Sequence, residues 1–529
     1  MKRTGSYPSL AQRGFVLPTR LSPTRLKASA YEAAGASGAR GRSWNTSRAG
    51  PNAAAVQNLP LLRSRARDAI RNDPWAKTAI SRLVSNTIGT GIQPHPQHPD
   101  PAVRQQLKQL WDDWVGESDA DGLLDFYGQQ TLAARAFFGD GEVLLRRRLR
   151  RPEAALAVPL QVQVLEADIL PVEKNELVAG GGEIVNGVEF DTDDQRVAYH
   201  LMRRHPGEYN RASSGAMLTT PVVAEDIAHV FQPLRAGQVR GVPELSTVLL
   251  RLHSLDNFDD AVLFRQEISN LFAGFLVKPS AEPGLPGDPV TGDALEFDAD
   301  GFSPVVSLEP GTVQELAPGE DMRFSEPPGA GADYSPFMRQ QLMAAAASVG
   351  MPYEILTGDL RDVSDRVLRV LLNEFRRSVE QVQWNIFIHQ YCRRVWAWWV
   401  DACVLSGAVD APDFHRTRRE YLRVRWVPQG WPYIHPVQDV SAQKLAIRSG
   451  LTSRSASILK QGEDPEQVDE ENAADNARAD RLGLRYDTDP RSRDIAGDAT
   501  DDTAKDAAHD TADDGADDAA SRSTNTGAT

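Results

Sequence analysis

The sequence predicts an α+β fold organised around two helices longer than an ordinary packed domain uses. Three observations carry this. Apolar residues recur every three to four positions over 245–275 and again over 365–405, the spacing of one helical face. Apolar and polar residues alternate in 142–149, 160–166 and 196–202, the period of a half-buried strand. The 529 residues, 41% of them apolar, suffice to bury cores in about two to four domains.

The N-terminal part is helical. From Leu59 to Thr87, Leu62, Ala66, Ala69 and Ile70 share a face until Asn72-Asp73-Pro74 breaks it. Asp73 is placed to cap the next helix with Pro74 at its first position, and Gly89-Thr90-Gly91 ends that helix. Two more come after it, Pro101 to Val115 with Leu107, Trp111 and Trp114 on one side, and Tyr127 to Phe138, which runs into Gly139-Asp140-Gly141. The period then changes. EVLLRRRL (142–149), LQVQVLE (160–166), RVAYHLM (196–202) and AEDIAHVFQP (224–233) read as strands, with loops at Gly180-Gly181-Gly182 and Asp191-Thr192-Asp193-Asp194.

Leu245 to Phe275 reads as one extended helix, which at about 1.5 Å per residue would span some 45 Å. Residues 276–330 are dense in Pro and Gly, and VVSLEPGTVQEL (305–316) reads as a strand pair turning at Pro310-Gly311. A helix from Ser335 to Val349 leads to GMPYEILTGDLRDVSDR (350–366), a loop with Gly350, Pro352 and Gly358 as breaks and Asp362 or Ser364 as the cap of the next helix. The second long helix, Asp365 to Leu405, carries Leu368, Leu371, Phe375, Val379 and Val382 in step and Trp396, Trp398 and Trp399 near its end. EYLRVRWV (420–427) reads as a strand and GWPYIHP (430–436) as a rigid turn. Val440 to Ser449, Ser453 to Gln461 and 471–483 read as short helices.

Charge is uneven. Residues 1–50 hold nine Lys or Arg against Glu32, a net +8, and the chain from Asp487 onward holds twelve Asp against four Lys or Arg, a net −8. The body between carries −15, equal to the net charge of the whole chain. Such a body is not the footprint of a protein that grips duplex DNA, which relies on Lys and Arg displacing counterions. Any contact with DNA must be local or weak. Cys392 and Cys403 are the only cysteines, too few for a disulfide framework or a closed zinc site. No signal peptide and no apolar run of membrane-spanning length is present, so the expectation is a protein made in the cytoplasm with no membrane partner.

Motifs of catalysis are missing. GVPELST (241–247) resembles a phosphate loop but lacks its lysine, and neither a G-x-S-x-G elbow nor an H-E-x-x-H pair occurs. His389, Cys392 and Arg393 fall on one helical turn, but Cys beside tryptophans reads as core packing rather than a ligand set. Trp396 and Trp399 likewise read as a core stripe rather than a base-stacking platform. The acid pairs Asp112-Asp113, Asp259-Asp260 and Asp501-Asp502 read as solvated faces, and Ser213-Ser214-Gly215 as a surface loop. No catalytic, cofactor-binding or metal residue is expected. The residues alone leave open a nuclease or hydrolase, and a capsid or tail interaction protein without a channel.

Taken in order, RARDAIRNDPWAKTAISRLVSNTIGTGIQP (65–94), VQVLEADIL (162–170), IAHVFQPLRAGQVRGVPELSTVLLRL (227–252), GMPYEILTGD (350–359), GWPYIHP (430–436) and QDVSAQKLAIRSGLTSRSASILKQGED (438–464) resemble the portal proteins of lambda-like tailed bacteriophages. The resemblance implies a homo-oligomeric ring, typically of twelve subunits, at one capsid vertex of the virion. Double-stranded DNA passes through its channel without sequence specificity during packaging and ejection. Implied partners are the terminase large subunit, which supplies the ATPase, then head-completion and connector proteins, with major capsid and scaffold proteins around the ring; no cofactor is implied. The implied architecture is a basic arm (1–55), wing (56–244), stem helix (245–275), clip (276–330), second stem helix (331–349), channel loop (350–366), long wing helix and strand (367–435), helical crown (436–486) and acidic tail (487–529). Within the loop, the resemblance puts Thr357, Asp359, Arg361, Asp362, Asp365 and Arg366 at the channel. DVSDR (362–366) stands where family members commonly carry a small Ser-rich run, and His435-Pro436 where Asp-Pro is common.

Overall fold

A computed structural model describes residues 47–208, 218–271, 275–277, 321–323, 334–361, 363–431 and 436–484. Most of the basic arm, Ser213-Ser214-Gly215, the strand pair at 305–316, Asp362, most of the 430–436 turn, Asp501-Asp502 and the acidic tail lie outside the described residues.

Helix α1, Pro51–Asn72, begins inside the stretch expected to be arm. Gly50 is extended and Pro51 occupies the first helical turn, where proline is tolerated, and Ala53-Ala54-Ala55 favour helix. Asp73 ends α1 and caps α2, Pro74–Thr87. Its Oδ1 accepts from the Trp75 and Ala76 amides at 2.7 and 2.9 Å. After β1, Gln93–Pro96, Asp100 caps α3, Pro101–Val115, and Asp125 caps α4, Phe126–Asp140. Helix α4 runs two residues past Phe138 and stops at Gly141, whose φ of 89° lies in the left-handed region that suits glycine.

The strands form two antiparallel sheets and two ribbons. In the first sheet β2, Glu142–Leu149, is flanked by β3, Leu160–Leu165, and β9, Ile227–Phe231, with Leu144 opposite both Leu165 and His229. The second is a meander that sequence reading recovered only at β7: β4, Glu176–Leu177, β5, Glu183–Val185, β6, Val188–Phe190, β7, Arg196–Met202, and β8, Thr219–Val223. Of AEDIAHVFQP, residues 224–226 form a 3-10 turn and only β9 is extended.

The first long helix is shorter than expected. Glu244–Thr247 is a 3-10 turn, α5 spans Leu249–Leu271, and Phe275 belongs to β10, Phe275–Val277, paired with β11, Asp321–Arg323. Phe-Leu-Val favours an extended chain. Helix α6, Tyr334–Ser348, returns alongside α5, and Tyr334 donates its hydroxyl to Asp259 at 2.9 Å. A short α7, Tyr353–Thr357, interrupts the stretch read as loop.

The second long helix is continuous but not uniform. Helix α8, Asp365–Val382, passes into a π-helical stretch, Gln383–Cys392, and on into α9, Arg393–Ser406. Side chains from the π-helical stretch satisfy neighbouring backbone: Gln383 donates to the Thr87 carbonyl at 2.8 Å, and Gln390 exchanges two hydrogen bonds with Phe231 on β9. Helix α10, Phe414–Tyr421, takes the first two residues of EYLRVRWV, so only β12, Val424–Val427, is strand. It pairs with β1 and ties the two ends of the body together. Helices α11, Pro436–Arg448, α12, Arg454–Lys460, and α13, Pro465–Leu482, complete the described chain.

The main core lies where α2, α3 and α4 meet the π-helical stretch and α9. Trp111, Trp114, Phe126, Tyr391, Trp396 and Trp399 are all buried there, with the Trp396 and Trp399 rings 4.9 Å apart. Each such ring buries on the order of 150–250 Å², which fixes the helices around it. A smaller core of Leu144, Leu170, Val188, Tyr199, Leu201, Val222, Ile227 and Val239 joins the two sheets. Among the described residues, no helix is long and apolar enough to cross a membrane.

Candidate functional site

The segment between α6 and α8 is built as a braced turn. Helix α6 ends at Gly350, φ 65°, with the Met351 amide reaching back to the Ala346 carbonyl at 3.0 Å, a glycine stop of the Schellman kind. Met351 and Leu356 are buried in the main core and pin α7 to the body. Gly358, φ 72°, ends α7 and sends the chain back out.

Three of the expected channel residues meet in this turn. Thr357 Oγ1 donates to the Tyr353 carbonyl at 2.9 Å and accepts from the Asp359 amide at 3.2 Å. Asp359 receives Arg361 in a fork, Nε to Oδ1 at 2.8 Å and Nη2 to Oδ2 at 2.9 Å, along with the Arg361 amide. Tyr353 also donates its hydroxyl to Asp359 at 3.2 Å, and the Arg339 guanidinium lies 5.5 Å over its ring. The Arg361 side chain, then its amide, hold the Asp359 carboxyl well below its usual range. The Arg361 side chain is 77% exposed and that of Asp359 12%, so a largely sheltered carboxylate holds a surface guanidinium whose charge it neutralises. Asp365 lies 3.4 Å from Arg369 in the first turns of α8, Arg366 is exposed, and Ser364 caps the helix by accepting from the Val367 amide at 3.4 Å.

Other candidates disperse. His389 is exposed while Cys392 is buried, because the π-helical winding turns them to different sides. Burial pushes the Cys392 and Cys403 thiols far up, which suits inert core cysteines. Trp396, Trp398 and Trp399 are core, as expected. Asp112 and Asp113 are exposed.

Sequence reading missed a buried charge cluster at the start of β2. Glu142, fully buried, accepts from Arg63 at 2.5 Å, Arg240 Nε at 2.7 Å and the Gly241 amide at 2.7 Å, and its second oxygen lies 3.0 Å from His229 Nε2. Burial pushes this carboxyl up, but Arg240, Arg63 and His229 outweigh it and hold it well below the usual range. Arg240 also donates to the Asn186 and Ala167 carbonyls. Beside it, Arg67 forks onto Asp140 at 2.7 and 2.8 Å and reaches Asp168 at 2.5 Å. A Cβ on Gly241 would sit 2.0 Å from the Gly141 carbonyl oxygen, so glycine is required for this approach. The available signal was that Arg67, Asp168, His229, Arg240 and Gly241 lie in three of the segments that carry the family resemblance; nothing in their spacing says that they converge.

Glu166, Asp168 and His205 bring ligand atoms within 4.8 Å of one another, a spacing a metal ion could use. The Arg67 guanidinium, 2.5 Å from Asp168 and 3.9 Å from Glu166, already supplies the cation there. The cluster therefore works as an ion-pair network.

The chain matches the family described as "Phage portal protein, lambda family" over residues 37–383. It is 26% identical over 436 residues to the probable portal protein of Halomonas phage phiHAP-1, covering 80% of this chain and 81% of that one. It is 21% identical to portal protein B of Escherichia phage lambda, covering 89% and 94%. Among solved structures, the neck of an empty GTA particle is similar at 14% identity and a TM-score of 0.43, over 76% of this chain and 94% of that one. The chain belongs to the lambda family of phage portal proteins, structural and not enzymatic components of the virion that form its head–tail connector and DNA channel.

Proposed function

We propose that copies of this chain, twelve by the family resemblance, close into a ring whose channel passes duplex DNA, with residues 350–366 facing that channel. The observation that supports this reading is the braced turn at Thr357, Asp359 and Arg361, which presents an exposed Arg361 yet is held by six hydrogen bonds to and within it. A surface whose arginine is already paired displaces few counterions from DNA, so it touches the duplex without gripping it. Asp365 and Arg366, exposed in the first turn of α8, continue the proposed channel surface.

Helices α5 and α6 act as the stem. They are joined by Arg251 to Gln341 at 2.6 Å and by Phe258 against Tyr334 and Phe337, yet Leu250, Leu263, Phe264, Phe337 and Met343 stay exposed. A neighbouring copy covers these apolar side chains, since patches of this kind mark association surfaces. The wing then comprises 56–244 and 367–435, the clip 276–330 and the crown 436–486. The clip receives the terminase large subunit and later the head-completion proteins, and the wing meets major capsid and scaffold proteins. No cofactor takes part. Deleting 280–325 is expected to leave rings intact and abolish terminase docking in a pull-down; normal packaging by that deletion would overturn the clip assignment.

A further inference from the structure

Among the described residues, a dense set of unpaired cations lies on α10 and the strand after it. Arg416, Arg419, Arg423 and Arg425 are exposed, and none of their guanidinium groups makes an ion pair or hydrogen bond with a described residue. Arg418, on the same helix, is instead forked onto Asp401 at 2.9 Å through both nitrogens. Arg416 and Arg419, three apart on α10, share a side of that helix, and Arg423 and Arg425 come two apart where the chain becomes extended into β12. Asp410, Asp413 and Glu420 lie in the same stretch, so residues 410–425 hold five arginines against three acids inside a chain that is acidic overall. Like charges gathered within ten residues repel unless an anion meets them.

The chain carries such an anion. Between 494 and 518 there are ten aspartates and one lysine. That segment comes after α13, whose first turns (Pro465, Glu466, Glu470, Glu471) line the same cavity as Arg425. Helix α13 is about 27 Å long at 1.5 Å per residue. Residues 487–529 can cover several times that distance at up to roughly 3.3 Å per residue. Tethering turns the contact into an intramolecular one, which favours it over free polyanions.

We propose that the aspartate-rich segment 487–529 docks on the exposed arginines Arg416, Arg419, Arg423 and Arg425 and shields them from other polyanions, DNA among them. The proposal does not depend on which surface lines the channel. The test uses the full-length chain with the ten aspartates of 494–518 changed to asparagine, and the probe is a random-sequence duplex of about 20 base pairs at low salt. The expected result is a rise in DNA affinity of roughly tenfold or more, returned to the wild-type value by adding Arg416→Glu, Arg419→Glu and Arg423→Glu. Unchanged affinity would overturn it. A gain that survives the arginine reversals would also overturn it, because the segment would then pair elsewhere, for instance with the basic residues of 1–46. As a direct check, Arg419→Cys is combined in turn with Asp502→Cys, Asp510→Cys and Asp518→Cys under mild oxidation. Cys392 and Cys403 are both buried and stay silent. A disulfide in at least one pair is expected, and none in all three would contradict the proposal.

Discussion

Two carboxylates in this molecule hold guanidinium groups in different surroundings. Glu142 holds Arg63 and Arg240 with no solvent exposure, and Asp359 holds Arg361 at the surface. The buried pair joins α1, β2, β9 and the segment before α5, so its geometry sets how the helical body meets the sheets. The exposed pair joins residues two apart in one turn and orders only that turn. The same interaction is thus a structural joint in one place and a surface property in the other, and burial decides which.

The largest effect that tests this contrast is Glu142→Ala. It leaves two buried guanidinium groups without their carboxylate, which costs about 3–5 kcal/mol, and thermal unfolding should show a correspondingly large loss. A small loss would mean that the joint is not where the body is held. Asp359→Asn is expected to lower the melting temperature far less, since the guanidinium it releases is 77% exposed and its charge is screened by solvent.

Acid should act on the buried pair as well. Burial pushes the His229 imidazole below its ordinary value despite its bond to Glu142. The unfolded chain therefore binds more protons than the native one, and stability falls as pH drops below about 6.5. The Glu142 carboxyl is held low in the fold, so its contribution is complete above about pH 4.3 and is lost as pH falls through its folded value. Melting curves should decline in these two stages. His229→Gln, which keeps a donor for Glu142, should shrink the first stage to the part due to His95, whose imidazole burial also pushes down. An unchanged first stage would count against His229.

The smallest effect on stability and the largest on function should come from Arg361→Glu and Arg366→Glu. Rings are expected to form normally while packaging or retention of DNA falls. Wild-type DNA content in both variants would show that this turn does not meet DNA.

Much of the body was legible from periodicity because local rules and burial agree there. Asp73 before Pro74, Pro101 to Val115, the strands at 142–149 and 196–202, and Ser364 at the head of α8 arise from caps and alternation. The π-helical stretch was not legible, since its apolar spacing resembles ordinary helix and the partners of its Gln383 and Gln390 side chains lie far away along the chain. Nor was the Glu142 joint, whose arginines lie 79 and 98 residues away along the chain. The turn at 357–361 was located by its glycines. Its bracing rests on Tyr353 and on the fork from Arg361 to Asp359, which spacing does not reveal.

The role of the exposed pair depends on where it sits in the assembly. Electron cryomicroscopy of the purified full-length chain should show closed rings with a central channel and with Asp359 and Arg361 of every copy on its wall. Monomers, or rings with that turn on the outer rim, would contradict it.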